Sequence, residues 1–573
     1  MTDGEPRYFQ TRFNPGDNKS LACRTVVADD DLAVFVPEES RELSTEVQIS
    51  PEAGKGDFPQ KDSVVQVRRV TLKEPTLDNN VADAERLIRT LENEVGGSCR
   101  IDFSVLRSLP SSLRNCEWEP EVGLSCADEG WMVTGVAPDI RPPWAMAVDI
   151  GTTMIKARLL GPDGRWSASC ANSQALYGPD VITRIMYCEQ NEGGLTTLQK
   201  LAVDDITRLR NALTEAAGLE KDEAIQGLVL SGNTTMIHLC LGLDPRWIRR
   251  EPYVGCTFHP PRANAEDVGL PLDPPTSIYP LPSAASYVGA DITAGVMATG
   301  LADSPAPRML IDLGTNGEIV VGNEDFLLCC SASAGPAFEG GGCASGTWAR
   351  EGAICEVWEE NGTGWASIGD MPPVGICGSG YIDLIAALLR TGMIDKTGSL
   401  VEDASPRIEQ TRTGPRYVLV EADKAGVDRD VILTQADIDN LVRAKGAIYG
   451  AANILLDRIG MSWDDMDTVM LAGGFGENIH VDNAVTIGLL PDVDRSKIRF
   501  VGNTSLEGAV LAAENCDNLR RMHDIASSMT YFELSTTNDF MDEFVSACFL
   551  PHTDGEKFPS VSLGPTECAG DNV

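Results

Sequence analysis

The chain contains an internal repeat, and this repeat restricts the folds open to it more than any other feature. Residues 145–165 (AMAVDIGTTMIKARLLGPDGR) and 309–326 (MLIDLGTNGEIVVGNEDF) each read as an apolar strand, an aspartate, a Gly-Thr turn and a second strand. Residues 228–241 and 469–490 each add a strand, a glycine turn and a helix. Strands that alternate with helices predict an α/β fold, and matching units in both halves predict a duplicated lobe.

The length of 573 residues allows several domains. Apolar residues at helical spacing between positions 84 and 95 predict a linker helix, and Pro142-Pro143 favours extended chain at a boundary. We therefore expect small α+β segments ahead of the two lobes. The predicted parts are an N-terminal remnant and linker (1–77), the linker helix with a small middle domain (78–141), lobe I (142–305), lobe II with a C-terminal segment (306–554) and a flexible tail (555–573).

Both repeat turns have the chemistry of a phosphate site. An aspartate ends the strand, and glycine then lets backbone N–H groups and hydroxyls face one concavity, where they can surround phosphate oxygens. The aspartate can hold water on Mg²⁺, which takes few carboxylates. Two ordinary hairpins with glycine turns are the alternative, and the duplication favours phosphate. The first turn is Asp149, Gly151, Thr152 and Thr153, and the second is Asp312, Gly314, Thr315, Asn316 and Gly317.

A third glycine turn, Leu471-Ala-Gly473-Gly474-Phe475-Gly476, follows an apolar strand in the second half. Paired glycines there would let a base or ribose approach the backbone, although a turn that needs positive φ is the simpler explanation. Thr434 and Asp437 have the spacing of a capping box at a helix start. In that helix, Arg443 and Lys445 either line a base pocket or, as we expect more strongly, lie on a solvated face.

Two further side chains have competing interpretations. Glu339 lies in a glycine-rich loop after the second repeat, where it can orient water for attack on a γ-phosphate or serve a structural or partner-contact role. His238 lies in an apolar helix and is expected to be a core histidine. The histidines show no paired spacing that would indicate a metal site.

The composition of the chain disfavours some classes of binding partner. The formal net charge of −39 disfavours nucleic acid and anionic membranes, because a surface this acidic repels phosphate groups. No apolar run reaches the ~20 residues that span a bilayer, and the polar start does not resemble a signal peptide. We therefore expect a cytoplasmic protein whose 16 cysteines are reduced and mostly serve in packing.

The motifs DIGTT, DLGTNGE and LAGGFG resemble the phosphate-1, phosphate-2 and adenosine motifs of the ASKHA superfamily, the actin-like or ribonuclease H-like two-lobe ATPases. Additional segments resemble the ATPase part of the reductive activators of corrinoid enzymes, and together they cover about residues 78–562. These segments are NSQALYGPDVITRI (172–185), SGNTTMIHLCLGLDP (231–245), LPSAASYVGADITAG (281–295), SASAGPAFEGGG (331–342), PPVGICGSGYID (372–383) and FELSTTNDFMDEFVSACFLPH (532–552).

The resemblance implies an ATPase with ATP and Mg²⁺ between two lobes. It implies that hydrolysis helps an electron reach Co(II) on a partner corrinoid protein, which restores Co(I) in a methyltransferase system. It also implies a homodimer. The two repeat turns would then meet phosphate and metal-bound water, Gly473, Gly474 and Gly476 would flank the nucleoside, and Asp149, Asp312 and Glu339 would be catalytic.

The N-terminal segment departs from the family pattern. Residues 21–42 resemble only the last part of a [2Fe–2S] ferredoxin-like domain, with Cys23 at its final ligand position. One cysteine cannot hold a cluster that needs four ligands. We expect a separate electron donor to carry the cluster; a late reading-frame start and a changed role are the alternatives. A small-molecule kinase of the same fold and a non-catalytic nucleotide-dependent scaffold also stay open.

Overall fold

The computed structural model describes residues 47–51, 62–162, 164–219, 225–272, 276–359, 363–473 and 479–562. Cys23, Gly474 and Gly476 lie outside these residues. None of the helices in these ranges combines the length and apolar character needed to cross a bilayer. The mixed α/β architecture predicted from the repeat is confirmed.

The first folded unit is a four-stranded sheet with two helices, in the strand order β2-β4-β5-β3. An earlier strand, β1 (Gln48–Pro51), joins the sheet of the next unit. The predicted linker helix is confirmed, and it buries Leu87 and Leu91. The elements of the unit are β2 (Val65–Arg69), α1 (Asp83–Val95), β3 (Cys99–Ile101), α2 (Phe103–Asn115), β4 (Glu121–Cys126) and β5 (Trp131–Ala137).

Lobe I is built on a seven-stranded sheet in the order β1-β8-β7-β6-β9-β11-β10. Its central strand, β6, is apolar and buried from Trp144 to Val148, as expected of a strand covered on both faces. The elements are β6 (Trp144–Ile150), β7 (Met154–Gly161), β8 (Gly164–Ala171), α3 (Val181–Gln190), α4 (Gly194–Ala216), β9 (Ile225–Gly232), α5 (Thr234–Leu241), β10 (Ala263–Asn264), α6 (Ala265–Val268), β11 (Ser277–Pro280) and α7 (Ala290–Thr299).

Lobe II is built on a six-stranded sheet in the order β22-β21-β12-β13-β14-β23, with two three-stranded sheets beside it. Its elements are β12 (Arg308–Leu313), β13 (Gly317–Gly322), β14 (Leu327–Ala332), β15 (Ala353–Glu359), β16 (Thr363–Ser367), β17 (Gly375–Ile376), α8 (Gly378–Arg390), β18 (Ile408–Thr411), β19 (Gly414–Val420), β20 (Val431–Thr434), α9 (Gln435–Ile459), β21 (Thr468–Ala472), α10 (Val481–Thr486), β22 (Ile498–Gly502), α11 (Thr504–Glu514), α12 (Cys516–Ser528), β23 (Met529–Tyr531) and α13 (Asn538–Ala547).

The two large sheets share one topology, as the sequence repeat predicts. Lobe I contains the order β8-β7-β6-β9-β11, and lobe II contains the matching order β14-β13-β12-β21-β22. In both orders, each of the first three strands is antiparallel to its neighbour, and the last two strands run parallel to the third. The carboxyl ends of β6 and β12, where the two repeat aspartates lie, therefore occupy equivalent positions.

Two helices of the second half of the chain pack on lobe I. Apolar residues of α11 and α12, such as Leu506 and Met522, belong to the same buried cluster as β6 and β9. Gly508 permits this close approach, because a Cβ there would lie 2.3 Å from the carbonyl oxygen of Ala294 in α7. The helix that follows β22 is thus a physical link between the two lobes.

Most cysteines in the described ranges follow the packing prediction, whereas Cys256 is exposed. Cys240, Cys329 and Cys330 are buried free thiols, as expected. Cys126 at the end of β4 and Cys516 at the start of α12 instead form a disulfide, with a Cα–Cα distance of 6.1 Å. The expectation of reduced cysteines is therefore wrong for this pair, because a sequence separation of 390 residues conceals their contact.

Candidate functional site

The first repeat turn belongs to lobe I, and its carboxylate, Asp149, is contacted by residues from the second half of the chain. Asp149 lies near the end of β6, and its two oxygens accept hydrogen bonds from Asn503 Nδ2 and Ser505 Oγ, each at 2.8 Å. Both donors come from the start of α11, whereas the strand belongs to lobe I. Burial raises the pKa of Asp149, and the two donors together with the charge of Lys156 act in the opposite direction.

The backbone of this turn is fixed by glycine and by neighbouring amides. A Cβ at Gly151 would lie 2.5 Å from the carbonyl oxygen of Met154, so a larger residue would displace the turn. Asn172 donates from its side chain to the Gly151 carbonyl at 2.8 Å and from its backbone to the Thr153 carbonyl at 2.8 Å. Asn233 Nδ2 donates to Thr152 Oγ1 at 3.2 Å. Hydrogen bonds from Asn172 and Asn233, which lie outside the turn, therefore fix its backbone conformation.

The second repeat turn lies at the end of β12 and is closed by the contact of Gly314 N with the Asn316 carbonyl at 3.1 Å. Gly317 then begins β13, where a Cβ would lie 2.7 Å from a side-chain carbon of Ile448. Thr315 Oγ1 donates to Glu339 Oε2 at 3.1 Å, which brings the glycine-rich loop onto the turn. Of the two sequence interpretations of Glu339, neither is excluded by this contact.

Gly473 brings the third glycine turn against the second aspartate. Its φ of 99° lies in a region that favours glycine. A Cβ there would lie 2.5 Å from the Leu313 carbonyl oxygen and 3.0 Å from Asp312 Oδ1. The structure therefore brings Gly473 to the Asp312 turn, and it describes neither Gly474 nor Gly476.

Carboxylates from both lobes form one electrostatic cluster. Burial raises the pKa of Asp312 to about 7, with further contributions from the charges of Asp149 and Glu339. Burial also raises the pKa of Asp291 to about 8, and Asp312 and Asp149 add to the rise. The pKa of Glu318 is raised well above its usual value by burial and by Asp291 and Asp312. The charges of the two repeat aspartates thus act on each other within one acidic cleft.

The sequence reasoning missed two members of this cluster, Asp291 and Glu318. Cross-strand pairing gave a usable signal for Glu318, because a hairpin centred on Thr315 places it directly opposite Asp312. In the first hairpin the residue opposite Asp149 is Lys156. Asp291 comes from the first turn of α7, and only the tertiary packing of that helix brings it to the cleft.

The cleft fits a hydrated divalent cation with an anionic ligand. Its side-chain ligands are oxygens, which Mg²⁺ prefers, and a cation would offset both the burial and the mutual repulsion that raise these pKa values. Within the described ranges, no group of three or more His, Cys, Asp or Glu side chains is arranged to hold a metal by itself. For a [2Fe–2S] cluster, the same described residues offer no ligand set.

Two other residues considered from the sequence, His238 and Lys445, do not belong to the acidic cleft. His238 is a core residue as predicted, since it is buried and its Nε2 accepts from the Cys256 backbone at 3.1 Å. Lys445 is neither solvated nor aligned with a base pocket. It is buried, and its Nζ donates to the carbonyls of Phe549 at 2.5 Å and Pro551 at 2.6 Å. Its role is to fix the C-terminal segment to α9.

Comparison with protein-family models matches three consecutive regions of the chain. Residues 60–140 match the RACo linker region, residues 144–304 the RACo middle region, and residues 306–562 the C-terminal domain of RACo, the ASKHA domain. A curated relative, the corrinoid activation enzyme RamQ of Eubacterium limosum, is 33% identical over 417 residues, which is 71% of this chain and 70% of that protein. The chain belongs to the RACo family.

Two more comparisons support membership of the RACo family. The solved structure of a reductive activator for corrinoid, iron-sulfur protein is 39% identical, with a TM-score of 0.79 over 91% of this chain and 84% of that one. The [Co(II) methylated amine-specific corrinoid protein] reductase of Methanosarcina barkeri is 29% identical over 268 residues, which is 43% of this chain and 45% of that protein. The ASKHA fold predicted from the two hairpins is thereby shown.

Proposed function

We propose that this chain is an ATP-dependent reductive activator of a corrinoid protein, which supports the return of Co(II) to Co(I) in a methyltransferase system. The observation that carries the proposal is the closeness of the two duplicated hairpins beside the acidic cleft. Asp312 pairs with Ala472, Ala472 pairs with Gly502, and the next residue, Asn503, donates to Asp149 at 2.8 Å. In a RACo-family chain with the ASKHA fold, that cleft is the natural position for MgATP. RamQ and the activator structure are named for corrinoid activation, which gives the class of partner.

Each turn has a distinct role in this proposal. Asp149 and Asp312 would hold metal-bound water, one from each lobe. The backbone N–H groups and hydroxyls of the two turns would hold phosphate oxygens, and the third glycine turn would flank the nucleoside. The phosphate-binding residues are Gly151, Thr152, Thr153, Gly314, Thr315, Asn316 and Gly317, and the nucleoside-flanking residues are Gly473, Gly474 and Gly476. Bound MgATP would supply the γ-phosphoryl group and the cation for hydrolysis.

Glu339 is the proposed base for hydrolysis. Burial raises its pKa, while the hydrogen bond from Thr315 favours the ionised form. A carboxylate in this position can accept a proton from an attacking water, and its pairing with a turn residue fixes its orientation. The Thr315 contact would also make its position sensitive to what the second turn binds.

The link through α11 is the proposed route from the cleft to the rest of the molecule. Its first residues hold Asp149, and two ion pairs fasten its first turn and its last residue to lobe I. Arg158 contacts Glu507 at 2.7 Å, and Arg165 contacts Glu514 at 2.5 Å. A ligand that draws the two hairpins together would therefore shift α11 or strain its contacts. In this proposal, ligand binding would thus switch the two lobes between arrangements.

Electrons are proposed to come from a separate donor that carries the cluster, because Cys23 alone cannot supply the four ligands that a [2Fe–2S] cluster needs. Homodimer formation is proposed by analogy with the family. The proposal takes the corrinoid protein as the partner on which reduction occurs, and it places the chain's own chemistry in ATP turnover.

The test is to mix the chain with candidate corrinoid proteins, MgATP and a reductant, and to follow Co(I) by visible spectroscopy. We expect Co(I) only when ATP is present, and we expect Asp149→Ala and Asp312→Ala to abolish both ATP turnover and Co(I) formation. Asp423→Ala, at an exposed position far along lobe II, is the matched control and should behave as the parent chain.

Three outcomes would contradict the proposal. Parent-like ATP turnover in both aspartate variants would reject the site assignment. Transfer of labelled γ-phosphate to a metabolite would identify a small-molecule kinase instead. Nucleotide binding without turnover, with or without each partner, would identify a scaffold.

A further inference from the structure

A cavity of about 330 Å³ opens where α7 and α11 cover the edge of the lobe II sheet. Its polar lining consists of Thr299, Arg308, Thr468, Arg499, Thr504 and Glu507. The volume is at the small end of the range of small-molecule sites. It lies beside β22, the edge strand of the sheet, and is separate from the cluster of carboxylates in the cleft.

Strand register explains why two arginines reach the same cavity. Arg308 in β12 pairs with Thr468 in β21, and Met470, two residues further, pairs with Arg499 in β22. Paired residues, and residues two apart on a strand, project from one face of a sheet. The arginines therefore face the space beneath α7 and α11 from two different strands.

The cations of this cavity are only partly neutralised. The exposed side chain of Arg499 has no ion pair or hydrogen bond within the part of the chain that the structure describes. Among the same residues, the Arg308 side chain has one long contact, from Nε to Asp467 at 3.4 Å. The acidic residue in the lining, Glu507, is already paired with Arg158 at 2.7 Å. In a chain with a formal net charge of −39, a cavity with surplus positive charge is a local exception.

A second, independent feature also indicates a ligand. Thr504 lines the cavity, is only 3% exposed, and its hydroxyl has no hydrogen-bond partner among the described residues. A buried hydroxyl without a partner costs free energy, so such groups usually bind water or a ligand. Thr299 already donates to the Gly295 and Val296 carbonyls and Thr468 to Asp467, so the hydroxyl of Thr504 is the one in the lining with a proton available for an anion.

We propose that this cavity binds a small phosphate-bearing anion and acts as an effector site. Guanidinium groups recognise phosphate through paired charged hydrogen bonds, and two of them face the cavity with an unused hydroxyl nearby. Met470 and Val501 supply a short apolar wall, which suits a small phosphomonoester body as well as free phosphate.

The position of Thr504 couples this cavity to the cleft. It is the first residue of α11, between Asn503 and Ser505, the two donors to Asp149. An anion that engages Thr504 and Arg499 would bias the start of this helix, and hence the hydrogen bonds that hold Asp149. This coupling rests on the proposed function, whereas binding of the anion does not.

The experiment is calorimetric titration of the full chain with inorganic phosphate and, separately, with glycerol 3-phosphate. Each titration is run alone and with a non-hydrolysable ATP analogue and Mg²⁺ present. We expect saturable binding of at least one probe that persists with the analogue. Arg499→Gln should weaken it by about tenfold or more, the loss of one charged interaction. Arg308→Gln tests the second arginine in the same way, with an equivalent weakening expected.

Arg412→Gln, at an exposed turn distant from the cavity, is the matched control and should bind as the parent does. Stronger binding of glycerol 3-phosphate would identify a phosphomonoester as the ligand class, and equal binding would identify phosphate itself. Absence of saturable binding at millimolar probe would overturn the proposal. So would equal affinity in the Arg499 and Arg412 variants, or binding that disappears with the analogue. None of these readouts requires ATP turnover, so failure of the proposed function is distinguishable.

Discussion

Ser505→Ala tests whether the link from α11 sets the charge state of Asp149. Ser505 Oγ donates to Asp149 Oδ1 at 2.8 Å, and it favours the ionised carboxylate against the effect of burial. Removing this donor should therefore raise the pKa of Asp149. If ionised Asp149 is needed to hold metal-bound water, ATP turnover will then fail at a higher pH than in the parent chain.

The size of the shift follows from the hydrogen bond. A hydrogen bond to a charged group contributes about 1.5–3 kcal/mol. Since one pKa unit corresponds to about 1.36 kcal/mol, the acid limb of the pH–rate profile should move upward by about one to two units. Asn503 keeps its contact with the other oxygen at 2.8 Å, so the lower value is expected.

The assay is steady-state ATP turnover from pH 5 to pH 9 in buffers of constant ionic strength. Ser496→Ala is the matched control, because Ser496 Oγ donates to Asp494 Oδ1 at the same distance of 2.8 Å but at an exposed position. Its acid limb should stay with that of the parent. An unchanged acid limb in Ser505→Ala, with normal folding, would refute the reasoning.

Two further predictions concern the second turn. Gly473→Ala should weaken nucleotide binding and lower the thermal midpoint, because the φ of 99° and the contact with the Leu313 carbonyl together cost about 1–3 kcal/mol. Gly460→Ala, with a φ of 67° and no atom within 4 Å of the new carbon, should keep parent-like nucleotide affinity, and equal losses in both would contradict a site role. Since Asp312 and Asp291 have pKa values raised to about 7 and about 8, binding of Mg²⁺ and nucleotide at pH 7 should release protons. Calorimetry in buffers of different ionisation enthalpy measures this release, and a heat independent of buffer would be the contrary result.

The repeat made much of the fold predictable, because local pattern and topology agree there. An aspartate at a strand end, a glycine turn and a second strand define a hairpin from sequence alone, and two copies define two sheets of matching order. The start of α9 was predictable for a similar reason, since the Thr434–Asp437 capping box is a contact within one turn.

What escaped the sequence depends on contacts between distant segments. Nothing near Asp291 indicates that α7 will direct it toward Asp312, and nothing near Cys126 indicates its bond with Cys516. Lys445 follows a helical pattern that fits a solvated face, yet α9 is covered there by the C-terminal segment. In each case the deciding neighbour lies far away in the chain, beyond the reach of periodicity or spacing.

The duplicated hairpins differ at one cross-strand position, and this difference separates the roles of the two lobes. Asp149 pairs with Lys156 and has two hydrogen-bond donors, all of which favour its charge. Asp312 pairs with Glu318, has no such donors in the described structure, and is raised to a pKa of about 7. Three neighbours thus favour the ionised form of the lobe I carboxylate against the effect of burial, whereas burial and the charges of Asp149 and Glu339 all disfavour the ionised form of the lobe II carboxylate. The two copies of the hairpin therefore give their aspartates different electrostatic surroundings, and the copy that disfavours the charge is the one whose turn contacts Glu339.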